Sequence, residues 1–199
     1  MARAGAGGRG HRQGAGLYHY AGGYNATAEA DWFLAQIGDY VGRAVLVLDW
    51  ESNQNAAWGN GGWVLQFVQR IHDRTRVWPL VYVQASAIRQ IPQQVWDTCG
   101  LWVAQYASMS PTGYQSNPWL LGAYGEAMRQ YTSTGRLPGY SGNLDLNVFR
   151  GERWQWTRTR RATARNDRPP RCRRPLLAVR RRRRRTRAGS ASWCSPATA

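Results

Sequence analysis

The sequence predicts an α/β fold built on a parallel sheet, most simply a β/α barrel. From Gly16 onward short apolar runs alternate with longer amphipathic ones, the apolar runs stop abruptly at aromatic, amide or acidic residues, and Pro and Gly gather between the later runs. Strands that alternate with helices pair in parallel, with the helices packed outside the sheet.

Residues 17–20 read as the first strand and 28–37 as the first helix. Val45–Trp50 reads as the second strand and 63–73 as the second helix. Trp63, Phe67, Val68 and Ile71 recur at helical spacing and form an apolar stripe that should face the sheet. Residues 80–83 then read as a strand, 86–91 as a short helix stopped near Pro92, and 101–106 as a strand. The last strand-like segments are 126–131 and 144–149. Between them, 108–121 carries Pro111, Gly113 and Pro118, and 133–142 carries Gly135, Pro138, Gly139 and Gly142. Both are expected to be long loops, which at a barrel rim commonly carry binding surface.

The formal charge of +16 suggests nucleic-acid binding until it is divided along the chain. Residues 1–150 hold 11 Arg against 9 acids, net +2, and residues 151–199 hold 16 Arg against 2 acids, net +14. A nucleic-acid reading therefore rests wholly on the tail, and no specific nucleic-acid partner is expected. The composition predicts a disordered lead over 1–16, one domain over 17–150 and a disordered basic tail over 151–199. In the tail Pro169, Pro170, Pro175 and Pro196 exclude long helices, and Arg180 to Arg185 form an unbroken block. The absence of Lys suggests high-GC coding read out of frame after about Trp156; the competing expectation is a cationic arm for anionic wall polymers or lipids.

Cys99, Cys172 and Cys194 show neither CxxC nor Cys/His spacing, so neither a disulfide framework nor a zinc site is expected, and no other metal or cofactor motif appears. No apolar run approaches the ~18 residues of a membrane span, and Met1 to Gly16 lack the apolar centre of a signal peptide. Release from the cell would need another route.

Asp49 and Glu51 close the most apolar strand-like run, Ala-Val-Leu-Val-Leu-Asp-Trp-Glu. Two residues apart on a strand, they share a side with Cα atoms ~6.6 Å apart. Paired carboxyls, one kept neutral by burial and by its neighbour's charge, are what general-acid glycoside cleavage needs. The bland alternative is a strand end turning polar at solvent. The other strand ends carry Tyr18 and Tyr20, Tyr82 and Gln84, Trp102 and Tyr106, Gln130 and Tyr131, and Asp145 and Asn147. Aromatic faces stack on sugar rings, while amides and phenols reach hydroxyl and N-acetyl groups. His19 is expected to be packed or hydrogen-bonded and His72 to be solvated.

Five segments in order then resemble the family 25 glycoside hydrolases, the Chalaropsis-type lysozymes. They are Gly-Leu-Tyr-His-Tyr at 16–20, Leu-Asp-Trp-Glu at 48–51, Pro-Leu-Val-Tyr-Val at 79–83, Leu-Trp-Val-Ala-Gln-Tyr at 101–106, and a closing run from Arg129 to Phe149. The resemblance implies cleavage of the β-1,4 bond after N-acetylmuramic acid in bacterial peptidoglycan, without cofactor. It implies Glu51 as general acid, Asp49 as its charged companion and Asp145 as a third acid. Tyr18, Tyr20, Tyr82, Trp102, Tyr106 and Gln130 would bind substrate. The family's opening strand, which ends in an Asp, and the helix and strand after it are not found ahead of Leu17. The expectation is an incomplete TIM-like barrel lacking its first one or two strands, poorly stable and weakly active, or a catalytically dead wall-carbohydrate binder. The protein is expected to be monomeric and to work at the cell wall, as a phage lysin or autolysin does.

Overall fold

The computed structural model describes residues 14–161. The chain runs β1 (Gly16–Tyr20), α1 (Ala26–Ile37), β2 (Val45–Trp50), α2 (Gly61–Thr75), β3 (Leu80–Gln84), α3 (Gln93–Thr98), β4 (Leu101–Ala104), β5 (Met128–Leu137), β6 (Tyr140–Phe149) and α4 (Arg153–Thr159). The strands form one curled sheet in the order β1-β2-β3-β4-β5-β6. Neighbours from β1 to β5 are parallel, and β5 and β6 are antiparallel.

Strand alternation divides the core in two. Leu46, Leu48 and Trp50 of β2, Val81 and Val83 of β3, and Leu101 and Val103 of β4 pack with Phe33 of α1 and Trp63, Val64, Phe67, Val68 and Ile71 of α2. The stripe read from the sequence therefore faces the sheet. Val45, Val47, Leu80, Tyr82 and Ala104 point the other way and build a smaller inner core. With both faces covered, the middle strands are continuously apolar, as parallel strands require.

Caps set the helix limits. The Asn25 side chain accepts from the Ala28 N–H at 2.9 Å, which starts α1 two residues ahead of the predicted 28. Asn60 caps α2 through the Trp63 N–H, and Arg76, in the left-handed conformation at φ 62°, ends it. A bidentate pair from Arg70 to Asp31, at 2.8 and 2.6 Å, ties the two helices.

Four expectations need correction. Pro92 does not merely stop a helix: after the 3-10 segment Ala85–Gln90 it opens α3, because a helix N-terminus tolerates the missing N–H. Residues 133–142 are not a long loop but the heart of a β5–β6 hairpin, with Leu137 opposite Tyr140. Gly139 at φ +84° makes its turn, and at Gly135 a Cβ would lie 2.4 Å from Leu146 Cγ, so these glycines serve tight pairing. The segment after 150 is not structureless throughout, since Trp156 of α4 packs against the inner core. His72 is not solvated: its ring stacks on Trp78 at 3.9 Å, and desolvation lowers its pKa. Expectations for the remainder of the lead and tail lie outside the described residues, whereas 108–121 holds no strand or helix, as expected.

One ion pair is wholly enclosed. Arg129 and Glu126, both fully buried side chains, meet at 2.8 Å. Glu126 also accepts the Gly122 and Tyr124 N–H groups, and Arg129 donates to the Trp119 and Leu120 carbonyls. The pair thus fastens the turn at 119–126 to β5. Arg129→Met, which strands the carboxylate, is expected to lower stability by about 3–5 kcal/mol, read as a fall in the urea midpoint. An unchanged midpoint would contradict this role.

Candidate active site

The acid pair stands where the inner face of β2 runs out of apolar residues. Val45 and Val47 are buried there, Asp49 follows on the same face half-buried, and Glu51 is the next residue of that parity. Register sets their neighbours. Tyr20 lies beside Asp49, Asp49 beside Tyr82, and Tyr82 beside Trp102, in one row across β1 to β4.

The row is braced by side chains. The Tyr82 hydroxyl donates to Gln130 Oε1 at 2.5 Å, and the Tyr82 ring meets Trp102 edge to face at 5.1 Å. Trp102 Nε1 donates to Asn147 Oδ1 at 2.9 Å, which links the row to β6. The Tyr20 hydroxyl donates to the Asn53 carbonyl at 2.6 Å, and Asn55 Nδ2 donates to the Glu51 carbonyl at 2.9 Å. Together they hold the turn that follows Glu51. Gly23, at φ +80°, makes room for that turn, since a Cβ there would lie 2.2 Å from the Ala57 nitrogen.

Burial, then the negative charge of Glu51 and that of Asp145, push the Asp49 carboxyl up to about 7. Its Oδ1 is buried without a hydrogen-bond partner. The Tyr82 phenol is pushed up, first by burial and then by Tyr106 and Glu51; Tyr106 rises through burial, outweighing hydrogen bonds from Tyr82 and Ser133 that act downward. Tyr20 rises through burial and the charges of both acids. Burial and the neighbouring acids thus favour the neutral form of Asp49.

The structure brings Asp49, Glu51, Tyr20, Tyr82, Trp102, Tyr106 and Gln130 to one face, with exposed Asp145 of β6 close enough for its charge to reach Asp49 and Tyr106. Tyr18 lies one row lower, opposite Val47 on the outermost strand, and is 66% exposed. His19 points to the helical side, where it meets Glu29 at 2.8 Å and stacks on Phe67. Sequence reasoning missed Asn55, whose side chain braces the turn after Glu51, and the Asn53 backbone carbonyl that receives the Tyr20 hydroxyl. The signal available was the polar Ser-Asn-Gln-Asn run directly after Glu51, since Asn side chains commonly bond nearby backbone in turns. Among the described residues no three His, Cys, Asp or Glu side chains gather to hold a metal ion, and no helix is long and apolar enough to cross a membrane.

A curled, mainly parallel sheet with α1 and α2 on one face and paired carboxyls among aromatics on the other defines an α/β protein with an acidic, aromatic-lined sheet face. Residues 3–140 match the model of the glycosyl hydrolases family 25, and the chain belongs to that family. It is 30% identical over 160 residues to Lysozyme M1 of Streptomyces globisporus, an alignment covering 68% of this chain and 49% of that protein. The chain thus spans about half the length of that curated relative. In fold it resembles a muramidase from Acremonium alcalophilum, with TM-score 0.53, 22% identity and coverage of 74% and 73% of the two chains. It also resembles the bacterial lysozyme from Streptomyces coelicolor, with TM-score 0.53, 24% identity and coverage of 75% and 73%.

Asp49 binds its proton more tightly in the folded chain than at the ordinary 3.8, so its contribution to folding stability declines as pH rises from about 4 to about 7. In a carboxyl-carbon NMR titration Asp49 is expected to titrate near pH 7. Its midpoint should fall in both Glu51→Gln and Asp145→Asn, each of which removes a negative neighbour. A midpoint near 4 in the parent protein would refute this picture.

Proposed function

We propose that this chain is a peptidoglycan hydrolase of the lysozyme type, a 1,4-β-N-acetylmuramidase acting on bacterial cell wall. The observation that carries the reading is the Asp49/Glu51 pair, set among Tyr20, Tyr82 and Trp102 in a chain of family 25. In it Glu51 is the general acid, which protonates the departing glycosidic oxygen and then, as a base, activates water. Asp49 is its companion. A substrate acetamide N–H donated to Asp49 would favour the Asp49 carboxylate, leaving the pair's proton to Glu51 at the step that needs it.

Tyr82, Trp102 and Tyr106 offer rings to the sugar faces, and Gln130 holds the Tyr82 phenol in place. Tyr20 fixes the turn beside Glu51, and Asp145 adds negative charge that favours a developing oxocarbenium ion. The reading takes the six-stranded sheet as part of a β/α barrel, with the cleft at the C-terminal ends of its strands. It places the protein's work outside the cell, at the wall.

The test is clearing of purified walls in a zymogram. Glu51→Gln keeps the shape and removes the transferable proton, so clearing should fall by at least ~10²-fold with the melting curve unchanged. Asp49→Asn should also be severe. If both variants clear walls as the parent does, the pair does not carry the reaction.

A further inference from the structure

A cavity lies beyond the acid row, under the loop that joins β4 to β5. Its volume is about 250 Å³, and its lining includes Gln105, Ser110, Thr112, Gln115, Trp119 and Tyr131. None of its lining residues belongs to the acid row. Tyr131 follows Gln130 on β5; Gln130 reaches Tyr82, whereas the Tyr131 hydroxyl accepts the Gln115 N–H at 2.9 Å and belongs to the loop.

The loop is long and irregular, yet its backbone is pinned from several sides. The Arg136 N–H donates to the Thr112 carbonyl at 2.9 Å, and the Thr134 hydroxyl to the Met109 carbonyl at 3.1 Å. Arg129, fully buried, donates to the Trp119 carbonyl at 3.2 Å and to Gln105 Oε1 at 3.2 Å. The last bond orients the Gln105 carboxamide by occupying its oxygen, which leaves its N–H₂ end as donor. The cavity walls are thus held before any ligand arrives, and preorganisation of this kind lowers the entropy lost on binding.

The chemistry of the lining selects the ligand. No charged side chain is among the eleven lining residues, so neither an anion nor a cation is matched. Amides and hydroxyls line the cavity, with Gln115 Nε2 donating to Thr112 Oγ1 at 2.9 Å, and Trp119, 51% exposed, stands at one side. The volume lies below the ~300 Å³ at which pockets begin to enclose drug-sized molecules. Such a space suits one ring, with the rest of a chain leaving through the mouth. We propose that this cavity is an accessory binding site for a neutral saccharide unit, separate from the Asp49/Glu51 cleft.

The probe is tri-N-acetylchitotriose, added to the full-length Glu51→Gln protein and followed by amide and indole NMR. At roughly 10 mM probe a millimolar site would be about nine-tenths filled. The Trp119 indole and the Gln115 and Thr112 amides are expected to shift along a saturation curve. Trp119→Ala should weaken that curve about tenfold while signals from Tyr82 and Trp102 still respond and the melting curve stays with the parent. Tyr131→Phe, which keeps the ring and removes the loop's anchor, should weaken it too. The proposal is overturned if the loop signals stay still up to saturation of the main cleft, if they move alike in Trp119→Ala, or if a neutral dipeptide shifts them and the saccharide does not. Wall clearing by the parent and by Glu51→Gln reports on the main cleft alone, so failure there and failure here are distinguishable.

Discussion

The constraint on which this molecule rests is the two-sidedness of β2. Every second residue, Leu46, Leu48 and Trp50, is claimed by the helices, and the intervening Val45 and Val47 are claimed by the inner core. Asp49 inherits the inner parity at the point where apolar neighbours give out, with Tyr20 on one side and Tyr82 on the other. Its position needs no special loop. A slip of one residue in register would send the carboxyl into the helical core and a Trp ring into the cleft, so the packing that stabilises the sheet also holds the acid in place.

The same burial decides the electrostatics. A carboxyl with an unpartnered oxygen, facing two further acids, keeps its proton to about pH 7. Spacing in the sequence could bring Asp49 and Glu51 to one side but could not say which would be the more enclosed. The turn after Glu51 is held through the Asn53 carbonyl and the Asn55 side chain, by contacts from outside the strand. The strand, helix and aromatic pattern up to Gln84 was legible because period-two and period-3.6 patterns there are uninterrupted. Asn25 and Asn60 moved the helix starts by only two residues.

Legibility fell where Pro and Gly carry two meanings. Pro92 ends one helical segment and opens another, and Gly135 and Gly139 looked like loop until their strands were seen pressed together. Composition alone cannot separate a flexible segment from a closely paired one, because both favour residues without bulky side chains. His72 was misjudged for a related reason: a polar helix position reads as exposed unless the residue that covers it, here Trp78 beyond the helix end, is known to fold back. The buried Arg129 was likewise hidden among charges that one-dimensional patterns assign to the surface.

The α4 contact has a consequence for the order of events at the ribosome. Arg160 donates to the Arg43 carbonyl at 2.7 Å across 117 residues, and Trp156 completes an inner core begun by Val45 and Val47. The helical side can close once β4 has emerged, but the opposite side stays wet until translation has passed residue 160. Such non-local closure is slow. The apolar inner face of the first strands therefore spends the longest time bare in the nascent chain, a natural point for chaperone engagement.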